Sequence, residues 1–327
     1  MKRFATGGFG HVPEEILAIY PKINVSGLKQ FNVSPAYFES MQILKEIEPT
    51  KAMDLGTKLH YAILEPEKFE ELFCEEPAEI PADVVDTLDD LKKWCTNEGL
   101  KISGTKAELI NRLIDHGTKF ITYDEFMNDY LKGRQILKPK EAHAAKRIIS
   151  RIRSIKAVDS ILKNGTVESL GWVLNADLGV VVSFRIDYFK QLETKIAGYE
   201  NFAIDLKTTN SLTTQNDLQK FVASDDAHIQ LAFYADAIEF LTGKPTAAAI
   251  LAVETTAPFT VMLSVLDGAT IECGRADYMK NMAEFVHCHK TGIYPTNFEK
   301  IGTVGLPNWK LNEIEAREEK YMDDHVK

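Results

Sequence analysis

The chain has 327 residues, 45% of them hydrophobic, enough to bury a sizeable core in one large or two smaller domains. Its net charge of −10 excludes binding to a polyanion through overall charge, and no segment has the length and apolarity of a membrane span. The N-terminus carries no apolar signal region and the four cysteines include no Cys-x-x-Cys pair, so a cytoplasmic protein with reduced thiols and no zinc ribbon is expected.

Taken in chain order, Met53 to Pro66 reads as a helix with Gly56 and His60 one turn apart, the small residue allowing close approach of another backbone. A lone histidine on a helix is more often structural than a ligand. From Glu65 to Asp90 there are 11 acids and one base, Lys68, which accounts for the whole charge imbalance. Inside that run Glu75 to Pro81, rich in Pro and Glu, reads as an extended linker. Thr87 to Leu100 follows as an amphipathic helix with Leu88, Leu91 and Cys95 at helical spacing, closed by Gly99. After the turn Lys101 to Gly104, Thr105 and Glu108 form a capping box that opens a second helix carrying Leu109, Ile110, Leu113 and Ile114. Backbone N–H groups beside Gly104, Thr105 and Lys106 make that helix start a candidate phosphate site. From Lys132 to Lys163 ten bases face two acids, and a helix running to Arg153 displays Lys146, Arg147 and Arg151 as a candidate phosphate-tracking surface.

Strands are expected near Thr166 to Leu174, Leu178 to Asp187 and Tyr199 to Lys207. In the second, period-two alternation puts Val182, Phe184 and Ile186 on one face and Ser183, Arg185 and Asp187 on the other. In the third, Phe202, Ile204 and Leu206 face a core while Asp205 and Lys207 project together from the opposite face. Two such strands side by side present two carboxylates and one ammonium at one point, a donor set suited to Mg²⁺ and an attacking water. Asp226 to Ala237 then reads as a helix with Gln230 and Tyr234 on the same side. Strands near Thr246 to Glu254 and Pro258 to Val265 and two final helices complete the order, the last segment, Leu311 to Lys327, reading as an exposed acidic helix. A mixed α/β fold follows, with a central sheet flanked by helices.

In sequence the chain resembles the RecE-type exonucleases (exodeoxyribonuclease VIII) of the PD-(D/E)XK nuclease superfamily. The residues that carry the likeness are Ser34-Pro35-Ala36-Tyr37-Phe38, Gly56-x-x-x-His60 with Leu64-Glu65-Pro66, Glu168-x-x-x-Trp172, Arg185-x-Asp187, Asp205-x-Lys207-Thr208-Thr209 and Gln230-x-x-x-Tyr234. The likeness spans about Val25 to Tyr294, with Ile186 where the family usually has proline. The interrupting helix–turn–helix resembles a SAP motif, a small DNA-binding module. The implied layout is residues 1–82 as the first part of a restriction-endonuclease-like nuclease domain, 83–117 as a SAP-like insertion and 118–327 as the catalytic part.

The resemblance further implies that Asp187, Asp205 and the Leu206 carbonyl bind Mg²⁺, with Mn²⁺ as a substitute, and that His60 reaches toward a second metal. Lys207 would orient or deprotonate the attacking water, Gln230 and Tyr234 would position water, amine or phosphate, and Glu168 is a possible additional acid. Gly104, Thr105, Lys106, Thr208, Lys146 and Arg147 are the candidate DNA contacts. The implied activity is 5′ to 3′ degradation of one strand of linear double-stranded DNA from its ends, during recombination in a phage or bacterium. The implied partners are further copies of the chain in a ring and a single-strand annealing recombinase. Two other readings remain open: a PD-(D/E)XK endonuclease or repair nuclease, and a non-catalytic DNA-binding protein on a decayed nuclease core.

Overall fold

The alternating runs between residues 166 and 207 fold as the centre of one seven-stranded mixed sheet. A computed structural model describes residues 4–46, 51–85, 87–212, 214–298 and 301–325. Met1 to Arg3, Asp86 of the acidic run, and Val326 and Lys327 at the end of the last expected helix lie outside the described residues. The sheet consists of β1 (Thr6–Phe9), β2 (Lys22–Asn24), β3 (Thr166–Asn175), β4 (Val180–Ile196), β5 (Tyr199–Thr209), β6 (Thr246–Glu254) and β7 (Val261–Val265). The helices used below are α1 (Val25–Val33), α2 (Lys51–Leu64), α3 (Leu88–Asn97), α4 (Lys106–Asp115), α5 (Pro139–Ser154), α6 (Gln215–Ser224), α7 (Ala227–Thr242), α8 (Gly268–Thr291) and α9 (Asn308–His325). Among the described residues no helix is long and apolar enough to cross a membrane.

Strand order is β1-β3-β4-β5-β6-β7, with β2 lying parallel to the first part of β4. The pairs β1–β3, β3–β4, β4–β5 and β6–β7 are antiparallel, and β5–β6 is parallel across a connection through α6 and α7. Two expected boundaries differ. The run expected to end at Asp187 continues to Ile196, because Ala197 and Gly198, at φ of 51° and 89°, turn it directly into β5. Positive φ at both central residues gives a hairpin the twist its strands need. The strand expected from Pro258 starts only at Val261, since the Phe259 N–H closes a turn onto the Thr256 carbonyl and proline cannot donate to a ladder.

All nine residues of β6 are buried, which explains its nearly unbroken apolar sequence. Ala248, Ile250 and Ala252 point into a core shared with α1, α7 and α8, and Ala247, Ala249, Leu251 and Val253 into one shared with α2 and α5. Helix α7 is apolar almost all round, as a helix sandwiched between a sheet and other helices must be. Its contact with α8 is close enough that a Cβ on Gly274 would lie 2.2 Å from the His228 carbonyl oxygen. Lys58 of α2, paired with Glu141 of α5 at 3.1 Å, ties together the helices on the other face.

The segment between α2 and α5 is nested. An outer parallel ladder pairs Phe73–Cys74 with Gln135–Ile136, and an inner one pairs Val84–Val85 with Ile121–Thr122. At the tip, α3 and α4 close a small core of Val85, Leu91, Cys95, Leu109 and Leu113. The inner ladder carries the structured base on to Thr122, beyond the boundary expected at Gly117, because Val84–Val85 needs a partner strand. Two residues expected in the stripe lie outside it: Leu88, in the first turn of α3, is 37% exposed and Ile114, near the end of α4, is 58% exposed. The expected linker from Glu75 to Pro81 is anchored at its start, where the Tyr130 hydroxyl donates to the Glu75 carbonyl and Lys146 pairs with the Glu75 carboxylate.

Asp236 of α7 holds α8 through one buried carboxylate, which accepts from Arg275 Nε at 2.9 and 3.1 Å, from Arg275 Nη2 at 2.5 Å and from the Tyr278 hydroxyl at 2.6 Å. Removing one partner of such a pair strands the other. We expect Asp236→Ala to lower the unfolding free energy by about 3 kcal/mol. Urea denaturation checks this, and a loss near zero would show that α7 and α8 are held by apolar packing alone.

Candidate active site

The site is built on an interruption of the sheet. The ladder between β4 and β5 reaches Tyr188 opposite Ile204 and stops, while β2 covers the same edge of β4 only from Val181 to Ser183. Between these points a cleft of about 440 Å³ opens, lined by Arg185, Asp187, Asp205, Lys207, Gln230 and Tyr234, with Lys22, Asn24 and Ser26 on its far side. Backbone groups freed by the split need other partners. The Leu206 N–H donates to Asp187 Oδ2 at 2.8 Å, and the Arg185 carbonyl accepts from the Tyr234 hydroxyl at 2.6 Å.

On β5 the expected alternation holds: Phe202, Ile204 and Leu206 enter the core with α2 and α5, and Asp205 and Lys207 face α7. Asp205 is 1% exposed. Its Oδ1 accepts from Gln230 Nε2 at 2.8 Å and its Oδ2 lies 3.0 Å from Lys207 Nζ. Burial, opposed by Lys207 and reinforced by Asp187, pushes its carboxyl up to about 6. Lys207 is half-buried, which works against its charge, yet Asp205, then Asp225 and Asp187, more than compensate and raise its pKa. Gln230 donates with the same amide nitrogen to the Tyr234 oxygen at 2.8 Å, one helical turn along α7.

On β4 the alternation breaks at the acid. Ile186 packs in the core with α7, but Tyr188, two residues on, packs in the core with α2 and α5. The cause lies across the ladder. Val167 pairs with Tyr188 and Ser169 with Ile186, and Glu168 between them has φ of 53°, a left-handed conformation that kinks both strands. Asp187 therefore stands between the two faces. Its Oδ1 is 3.7 Å from His60 Nε2, which is 3.2 Å from Glu168 Oε1. Burial lowers the His60 pKa, but Asp187, Glu168 and Glu65 outweigh it and raise the value above that of an ordinary histidine.

His60, Glu168 and Asp187 offer one ligand atom each within 4.8 Å of one another, the metal-competent cluster among the described residues. Asp205, expected as a ligand beside Asp187, is outside that cluster because its carboxylate is turned to α7. The residues nonetheless fit a cation. Asp205 Oδ2 and His60 Nε2 are buried with only ion-pair neighbours, Lys207 for the first and Glu168 and Asp187 for the second, and no hydrogen bond, and the donors are carboxylates plus one imidazole, a set that suits Mg²⁺ or Mn²⁺ better than a thiolate-seeking metal. In an extended strand a residue's N–H and C=O lie on the same edge, so the Leu206 carbonyl faces the same split as its N–H.

Other expected site residues are placed elsewhere or differently engaged. Thr208 stands beside Gly56, where an added Cβ would meet it at an ordinary 3.5 Å, so the glycine is not required by close packing there. In the insertion, the Thr105 N–H donates to Glu108 Oε2 at 2.7 Å, which puts a carboxylate where a phosphate was expected. Lys146 is paired with Glu75, and Arg147 is exposed with no ion partner among the described residues. The sequence reading gave no contact to Lys22, Asn24 or Ser26, which come to the cleft only because β2 joins β4.

Residues 24–306 match the family described as "PDDEXK-like domain of unknown function (DUF3799)". Among solved structures, the chain is similar to a protein named "Putative exonuclease" from Eubacterium rectale, at 14% identity and a TM-score of 0.51, covering 93% of this chain and 98% of that one. At that identity the likeness shows the fold. Scheffersomyces stipitis Rai1, in complex with (3'-NADP)+ and calcium ion, matches at 11% identity and a TM-score of 0.27 over 90% of this chain and 77% of that one, too low to carry an argument. No curated protein is similar enough in sequence to count as a relative.

Tyr234→Phe removes the donor to the Arg185 carbonyl and the acceptor of one Gln230 N–H at once. An unsatisfied buried group costs about 1–3 kcal/mol, and we expect a stability loss in that range with the secondary structure unchanged. Chemical denaturation followed by circular dichroism measures it. A variant as stable as the parent would show that water replaces the hydroxyl and that the strand split does not depend on α7.

Proposed function

The chain belongs to this PDDEXK-like family, and from that premise we propose that it is a divalent-metal-dependent nuclease that degrades linear double-stranded DNA from its ends. The observation that carries the reading is the convergence of Asp187, Asp205 and Lys207, with Gln230 bonded to Asp205, at one break in the sheet. A decayed core has no reason to keep a buried carboxylate, a half-buried ammonium and a buried amide together, since each is unfavourable unless paired or used.

In this reading Asp187 and Asp205 hold the cation with the Leu206 carbonyl, and His60 and Glu168 supply further donors on the α2 side. When bound, the cation polarises the scissile phosphate and favours ionised water. Lys207, whose pKa stands above the ordinary value, is an ammonium at neutral pH and therefore orients the water or donates to a phosphate oxygen. Gln230 fixes the Asp205 carboxylate, and Tyr234 fixes Gln230. The 5′ to 3′ direction, the ring of several copies, the annealing partner and the recombination setting rest on the sequence resemblance alone.

Incubation with Mg²⁺ and matched duplexes, one linear and labelled at either its 5′ or its 3′ ends and one covalently closed, tests the reading. Linear DNA should be degraded from 5′ ends and circles spared, EDTA should stop the reaction and Mn²⁺ restore it. Asp205→Ala and Lys207→Ala should each lower turnover by roughly two to three orders of magnitude while duplex binding persists. Cleavage of closed circles would make the protein an endonuclease, and activity untouched by chelation would overturn the metal mechanism.

The inserted hairpin is part of the same proposal, as a tether that raises the local concentration of DNA without altering the chemistry. Its support is a separate small core at the end of a two-ladder base. Replacing residues 87–119 with a short Gly/Ser bridge keeps both ladders. This deletion should weaken duplex binding and steepen the loss of activity with salt, while the single-turnover rate at saturating DNA is kept. Equal binding and equal activity across a salt series would give the hairpin another role.

A further inference from the structure

Arg185 lines the cleft from β4, the strand that carries Asp187, and the reaction above gives it no task; Lys22, another lining cation without one, belongs to β2. Arg185 lies two residues before Asp187 on β4, and its side chain is 64% exposed. Its Nε lies 2.6 Å from Glu168 Oε2, the only ion partner of Arg185 among the described residues. The guanidinium is a flat fork of five N–H donors. With Nε–H directed to Glu168, the two Nη groups remain for whatever enters the cleft.

Glu168 is held in an unfavourable conformation to make this contact. Its φ of 53° interrupts a ladder that is regular on both sides, and the left-handed region is unfavourable for a non-glycine residue. Both of its carboxylate oxygens are used, Oε1 facing His60 and Oε2 facing Arg185. The kink thus sets one imidazole and one guanidinium on the two oxygens of the same acid, the imidazole also lying 3.7 Å from Asp187 Oδ1.

We propose that Arg185 contacts the non-bridging oxygens of the phosphate being cleaved and stabilises the negative charge that builds there, with Glu168 as its positioning residue. This rests on the nuclease reading. Charge spread over two oxygens of one phosphate matches a planar fork better than a point ammonium, and Lys207, paired with Asp205 at 3.0 Å, has only its remaining donors to offer. The cleft places both cations on the strands that carry the two acids, so a phosphate held at the acids meets Arg185 from one strand and Lys207 from the other.

The test uses the full chain with Arg185→Ala, Arg185→Lys, Glu168→Gln and the Arg185→Ala/Glu168→Gln pair, each compared with the parent for melting temperature, Mn²⁺ affinity by calorimetry and duplex affinity in Ca²⁺. Arg185→Ala should lower the single-turnover rate at saturating DNA by about 100-fold or more, with duplex and Mn²⁺ affinities within about threefold of the parent. Added guanidinium ion should recover part of that loss in Arg185→Ala and none in Lys207→Ala. With Mn²⁺ at a concentration that saturates each variant, which removes any effect of Glu168 as a cation donor, the double variant should be no slower than Arg185→Ala by more than about twofold, since the acid then acts through the arginine. If Arg185→Ala does not fold, Arg185→Lys should still fall well below the parent rate, because an ammonium cannot bridge two oxygens. Parent-like rates in either arginine variant, a rate loss fully explained by weaker DNA binding, or additive losses in the double variant at saturating Mn²⁺ would overturn the proposal. A parent protein that cleaves no DNA would instead overturn the nuclease reading on which it rests.

Discussion

Everything about the site follows from the point where β4 and β5 stop pairing. Up to Tyr188 and Ile204 the two strands satisfy each other's backbone, and beyond them the freed groups are met by side chains. Asp187 takes the Leu206 N–H and Tyr234 caps the Arg185 carbonyl, so the residues proposed for chemistry also hold the split open. A sheet that continued regularly through Asp187 and Asp205 would bury both acids in a ladder and leave no cleft. The catalytic proposal and the architecture are therefore one statement.

The surroundings stabilise an arrangement that is unfavourable in isolation. Asp205 and Gln230 occupy buried positions that apolar residues would fill at less cost, and Glu168 sits in a conformation that few non-glycine residues adopt. Against this stand a fully buried β6, an α7 that is apolar on nearly every side, and the Asp236–Arg275–Tyr278 cluster that fixes α7 to α8. Because Gln230 and Tyr234 belong to α7, its rigid seating is what sets the distance from Gln230 to Asp205. The Lys58–Glu141 pair does the same for His60, which is on the helix that Lys58 ties to α5.

Period-two alternation was enough to place Asp205 and Lys207 together and away from Phe202, Ile204 and Leu206, and helical spacing was enough to put Gln230 and Tyr234 side by side. Those are local rules, and they hold where the chain is regular. They fail at Glu168, whose positive φ has no sequence mark in a residue that is usually extended in a strand, and so the flip between Ile186 and Tyr188 could not be read. The continuation of β4 past Asp187 had a local sign, Ala197-Gly198, in a polar stretch that hides it. Contacts across many residues, such as β2 on β4, Arg185 on Glu168 and Lys146 on Glu75, depend on topology and were beyond any periodicity.

The central claim, that the break between β4 and β5 is a cation site, is tested most directly by anomalous diffraction from crystals of the protein soaked in Mn²⁺. A peak within carboxylate-bonding distance of Asp187, shared with Asp205 or with His60 and Glu168, and lost in Asp187→Ala, is the result the account predicts. Manganese bound only at exposed acids of the 65–90 run, with none at Asp187, would contradict it.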